Sequence, residues 1–164
     1  MLTMDTILQI CSTIVQPVAS VHNLGVYMDS ELNMRVHIVK VSSACFFYLH
    51  RLHQLHYIIV TSMMQRLVSA FVLSRIVYCN SVFVELPDTT LSPLRRTMNA
   101  AVYLVAGLGP RDPITATMRE LHWLQFGFHT KYKLCLLMHA AVNGFCPEYI
   151  IKVLCSMEQS TSIA

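Results

Sequence analysis

His50, His53 and His56 recur at three-residue intervals, and imidazole is the commonest side-chain ligand for zinc. On a helix each such step turns through about 300°, so the three fan across about 120° and at most two share an ion. No cysteine or carboxylate stands at ligand spacing beside them, whereas structural zinc needs four converging ligands. The expectation is an exposed helix face and no metal site. The 9 acidic residues are mostly isolated in sequence, with Asp29 and Glu31 the nearest pair. Two-metal phosphoryl transfer needs carboxylates that hold ions about 4 Å apart, and this chain does not offer them. His122 beside Trp123 reads as a packed loop histidine, because no Ser or Cys with a positioned base accompanies it. No catalytic residue is assigned.

Non-covalent chemistry has better candidates. Ser92, Arg96, Asn99 and Tyr103 fall on one helical face, where Arg96 can hold a phosphate and Tyr103 can stack on a base. The competing expectation is an ordinary solvated face, which is the commoner use of such a pattern. Lys131 and Lys133 point to different sides of their helix, and Arg95 lies nearer the core flank as a structural residue.

The elements that must position these groups follow from periodicity. Residues 7–11 and 13–15 are short β-branched runs, Pro17 stops regular pairing, and with Val21 to Met28 they predict a small antiparallel sheet or hairpin. Gly25 reads as a bulge glycine. After the Asp29-Ser30 turn, Met34, Ile38, Val41, Cys45, Tyr48, Leu52 and Leu55 form one helical stripe. A second helix starts at Thr61-Ser62 with capping-box spacing from Ser62 to Gln65, and its stripe is Met64, Leu67, Val68, Phe71, Val72 and Tyr78. A third runs from Ser92-Pro93 to Ala106, with the proline in its first turn and an apolar face of Leu91, Leu94, Met98, Ala101 and Val105. Asp112-Pro113 caps a short helix reaching Leu121. Phe126 to Val142 is a strongly apolar helix stopped by Asn143-Gly144, and Pro147 opens a last one to Met157. The expected fold is mainly α: a thumb-like bundle of five or six helices preceded by a small antiparallel β element. The β element occupies 1–33, the helical region 34–157, and a flexible tail 158–164.

Of the 164 residues, 54% are hydrophobic and only 13% charged, too few polar groups to cover the surface, so the chain is expected to pack on something else. Arg66, Arg75, Lys131 and Lys133 interrupt the apolar stretches, so no membrane span is expected. Residues 1–20 lack a basic start and a clean cleavage site, which argues against a secretory signal. The 6 cysteines include no C-x-x-C pair and mostly sit in apolar helical patterns, as buried free thiols of an intracellular, cytoplasmic or nuclear protein. A charge of +3 adds weak support for a polyanionic partner.

Taken together, Asn23-Leu24-Gly25-Val26 through Asp29, Leu32 and His37-Ile38, then Ser74 to Ser81, Asn99-Ala100-Ala101, Arg111 to Thr115, Leu121-His122-Trp123-Leu124 and Asn143 to Ile150 form an ordered series. That series resembles the region after the catalytic palm in reverse transcriptases of LINE-type, Jockey-like non-LTR retrotransposons, over residues 5–155. The resemblance implies a primer-template-holding part of an RNA-directed DNA polymerase, with Leu24, Gly25 and Val26 as primer-grip-like residues and the helices tracking a nucleic-acid backbone. Its partners would be an RNA–DNA or RNA duplex and the palm and fingers of the parent polymerase. The family's magnesium-binding aspartates lie upstream of this region, so no cofactor and no polymerase activity are expected of this chain alone. Two departures stand out: an acid common after the Ser-Arg step is Val77, and the proline usual after His-Trp-Leu is Gln125. Without that acid, Arg75 needs another carboxylate (Asp112 is the expected one), solvent, or a phosphate. The alternative reading is a decayed or captured retroelement fragment, acting as a helical protein-interaction module or without function.

Overall fold

Asn23 and Val26 face each other across Leu24 and Gly25, whose φ angles of 47° and 82° make a two-residue turn with both central residues left-handed. In the computed structural model, residues 18–84, 86–109, 112–150 and 152 are described, together with the backbone of 8–10 and 13–15. The β element is two separate antiparallel hairpins, β1 (Leu8–Ile10) with β2 (Thr13–Val15) and β3 (Ser20–Asn23) with β4 (Val26–Asp29). Pairing in the second hairpin runs unbroken from Ser20↔Asp29 to Asn23↔Val26, so Gly25 is a turn residue and not a bulge.

Asp29 then sets the exit. Its Oδ1 accepts the Asn33 N–H at 2.9 Å, and Asn33 Oδ1 accepts the Arg35 N–H at 3.0 Å, which starts α1 (Arg35–Gln54). The inner face of α1 is Ile38, Cys45, Leu49 and Leu52, with Val41 and Tyr48 half-buried. Leu55, at the end of the expected stripe, lies past the helix and is exposed. His37 and Ser42 are buried although polar.

The second rod has three continuous parts: α2 (Thr61–Val68), a π-helical turn (Ser69–Leu73) and α3 (Ser74–Val77). Val60 precedes it and no side chain caps it, so the Ser62–Gln65 box does not form. In the π turn the Ser74 N–H reaches back to the Ser69 carbonyl, and the Ser74 hydroxyl donates to the Ala70 carbonyl that this leaves free. Met64, Val68, Val72 and Ile76 are buried, whereas Phe71 and Tyr78, both expected in the core, are exposed.

The helix α4 begins at Asp88, earlier than expected, and runs to Ala106 with Pro93 inside it. Pro93 has no N–H for the Thr89 carbonyl, and the Ser92 hydroxyl donates to that oxygen instead at 3.0 Å. Gly107, at φ 61°, closes the helix in the left-handed conformation. The short α5 (Ile114–Glu120) lacks the Asp112 cap, because Asp112 Oδ2 accepts the Gly109 N–H at 2.7 Å. The last long helix, α6 (Phe126–Val142), has the expected bounds. Residues 148–150 and 152 are helical, where the expected last helix begins, and its remainder and the tail lie outside the described residues. The fold is therefore mainly helical with a small antiparallel β element ahead of the helices.

The core forms where α1 packs on α4, closed on one side by the α2–α3 rod and on the other by α5 and Phe126. Four cysteines are described and all are free, but only Cys45 is buried, since α6 leaves Cys135 exposed. Burial pushes the Cys45 thiol up to about 11, against a smaller opposing pull from Arg75, which makes it an inert core residue. One core polar group stands out. Asn80 is 1% exposed, and neither its Oδ1 nor its Nδ2 has a hydrogen-bond partner. Leaving a buried amide unpaired costs about 1–3 kcal/mol. Asn80→Leu, close in volume and apolar, is expected to raise the unfolding free energy by about 1 kcal/mol in a urea titration. A loss of stability would mean that the amide is satisfied in solution.

Candidate functional site

The β3–β4 tip is fastened to the second rod. Past Val77 the chain leaves the helix, with Tyr78 extended at ψ 126° and Cys79 left-handed at φ 52°. This turns the Tyr78 ring toward the hairpin, where its hydroxyl donates to the Leu24 carbonyl at 2.7 Å. A Cβ at Gly25 would meet Tyr78 Cε1 at 3.4 Å, so the glycine serves both the turn and the close approach of the ring.

Between the hairpin, α1 and α3 lies an open cleft of about 550 Å³. Lys40 and Arg75 contribute its cations, His22, His37, Tyr27 and Tyr78 its rings, and among the described residues no carboxylate lines it. Tyr27 stacks on His22 with centroids 4.2 Å apart, and Lys40 Nζ lies 3.7 Å from the Tyr27 centroid. Arg75 Cζ lies 5.0 Å from the Tyr48 ring centroid, and Nη2 donates to the Tyr48 hydroxyl at 3.4 Å. The expected Arg75–Asp112 pair does not form: Arg75 is exposed over Tyr48, and Asp112 is occupied by the Gly109 loop. Two exposed cations side by side suit a phosphate backbone, and the donor set does not suit a magnesium ion.

His37 supports the hairpin from beneath. Its Nδ1 accepts the Tyr27 N–H at 3.4 Å, which puts the ring proton on Nε2, and its ring stacks on Phe83 at 5.9 Å. Burial first, and His22 second, hold its pKa below the ordinary 6.5. The unfolded chain therefore takes up this proton before the folded one does. His37 contributes its full stability above pH 6.5, and that contribution is lost as pH falls through the folded pKa. Urea midpoints measured from pH 7.5 to 5 should fall, and the fall should shrink in His37→Asn, whose Oδ1 can accept the Tyr27 N–H without titrating. An equal slope in both proteins would remove His37 as the cause.

The candidates read from the sequence divide between two places. Gly25 and Arg75 share the cleft, while Leu24 projects from the tip at 82% exposure and Val26 is buried in the core. On α4, Asn99 lines a second cleft of about 480 Å³ with Arg95, Ile114, Met118, Phe128 and Lys131. Arg96 is exposed and Tyr103 half-buried, and neither lines either cleft. Arg95 faces solvent and pairs with Asp88 at 2.6 Å, not with the core. Lys40, Tyr27 and His22 were missed by sequence reasoning. The one available signal was Lys40 standing three residues after His37, beside the turn-bearing hairpin.

His53 and His56 lie with ring centroids 6.4 Å apart, and His50 contacts Gln54. Among the described residues no three His, Cys, Asp or Glu side chains converge on a metal-sized point. Among the same residues no helix is long and apolar enough to cross a membrane. No protein-family profile matches the chain, and neither a curated protein nor a solved structure matches it.

Proposed function

We propose that this chain is the primer-template-holding part of a non-LTR retrotransposon reverse transcriptase, without the catalytic aspartates. One observation supports the reading: the Gly25 turn, Lys40, Arg75 and the exposed rings of His22 and Tyr78 meet in one cleft that no carboxylate lines among the described residues. The ordered motifs from Asn23 to Ile150 supply the family, and the cleft supplies the kind of contact that family region makes. In this reading Lys40 and Arg75 contact backbone phosphates. Such contacts position a duplex without reading its sequence, so binding is weak in sequence preference and steep in salt.

The test is a titration of a labelled RNA–DNA hybrid with the full chain at low and high salt. Micromolar binding that disappears as salt rises is the expected result, and no salt-sensitive binding at micromolar protein overturns the reading. The second reading, a captured fragment serving as a helical interaction module, has its own support in the exposed apolar side chains of α6. It predicts a stable protein partner and indifference to the hybrid.

A further inference from the structure

Between Glu31 and Glu85 the chain has no acidic residue, yet Arg35, Lys40, Arg51, Arg66 and Arg75 all fall there. Their charge exceeds the +3 of the whole chain, so the remainder is net negative. The stretch builds α1 and the second rod, where all five cations are exposed. None of them pairs with a carboxylate among the described residues. Positive charge gathered on one part of a molecule is the footprint of a polyanionic partner.

Position sorts the five. Lys40, Ala44, Phe47 and Arg51 recur at steps of four, three and four, which puts them on one edge of α1. Arg75 reaches that edge from the rod: it lines the cleft with Lys40 and Ala44, and its guanidinium lies on the Tyr48 ring. Lys40 stands on Tyr27, and Arg51 Cζ lies 6.0 Å from the Phe47 centroid. Lys40, Arg75 and Arg51 therefore follow one another along α1, over roughly 16 Å at 1.5 Å per residue. A ring beneath each one positions the charge and leaves its N–H groups to a ligand. The other two cations lie elsewhere. Arg35 borders a hollow with Thr89 and Pro93 of α4, and Arg66 borders another with Ser62 and Ser69.

One strand of a duplex carries a phosphate about every 3.4 Å of axis, so a row of this length passes about five of them. Each cation can then meet a phosphate of its own. We propose that the Lys40–Arg75 cleft continues along α1 as a track for one nucleic-acid strand, with Arg51 as its third phosphate contact. The track rests on the nucleic-acid reading of the cleft and extends it by a residue outside the cleft. A diffuse polyanion or an anionic lipid surface would instead engage the exposed cations alike, Arg66 included.

The experiment titrates the labelled RNA–DNA hybrid, and its DNA strand alone, with the full chain over a range of salt. Arg51→Gln should weaken binding about tenfold at low salt. It should also lower the slope of log affinity against log salt by about 0.9 on the hybrid and about 0.7 on the single strand. Arg51→Lys, which keeps the charge, should hold the slope, and Arg66→Gln should leave it unchanged. Far-ultraviolet circular dichroism checks that each variant stays folded, and a merely structural role for Arg51 would not move the salt slope. An unchanged slope in Arg51→Gln, an equal fall in Arg66→Gln, or an Arg51 effect confined to the hybrid overturns the track. If replacing Lys40 and Arg75 leaves binding intact, the reading of the cleft fails and the track with it. If that replacement weakens binding and Arg51→Gln does not, the track alone fails.

Discussion

Replacing Lys40 and Arg75 together by Glu is expected to weaken binding of an RNA–DNA hybrid by about a hundredfold or more at low salt. Each phosphate neutralised by a cation contributes about one to the slope of log affinity against log salt, so that slope should also fall by about two. Both side chains are exposed and stand on rings rather than in ion pairs among the described residues, so the fold should tolerate the change. The unfolding midpoint of the double variant serves as the control. Arg96→Glu gives the comparison that locates the interface. If it weakens binding more than the double variant does, the exposed face of α4 is the contact surface and the cleft is not.

Leu94→Ala is expected to lower the unfolding free energy by about 3 kcal/mol, within the 2–5 kcal/mol range for buried Leu truncations. Leu94 is fully buried on α4 in the core cluster that joins α1 and α4, the principal packing of the molecule. A domain of this size has about 5–15 kcal/mol in total, so the loss is a large share of it. Urea unfolding followed by circular dichroism measures it. A loss under about 1 kcal/mol would mean that the helices collapse around the cavity or that α1 and α4 are loosely packed in solution.

Much of the secondary structure was legible because its causes are local. Asn143-Gly144 stops α6 and Gly107 stops α4 by backbone preference alone. Several of the errors share one cause, the choice among local partners. Ser62 and Asp112 each have capping chemistry, yet Ser62 caps nothing and Asp112 serves the Gly109 loop. Pro93 reads as a first-turn proline, but the Ser92 hydroxyl compensates for it inside the helix. The chain leaves the helix after Val77, so a stripe continued at 3.6 residues per turn places Tyr78 in the core when it stands at the cleft.

By itself the sequence determined that the chain is mainly helical and which faces of α1 and α4 turn inward, because periodicity, turn residues and composition act within a few neighbours. Only the tertiary structure decided that the Gly25 turn lies against Tyr78, that Lys40 and Arg75 open into one cleft, and that α6 leaves most of its apolar side chains exposed. Leu24 and Tyr78 are far apart along the chain, and no local pattern encodes their hydrogen bond. It exists because the packing of α1 against α4 and the second rod fixes where the rod ends, and the hairpin tip meets it there.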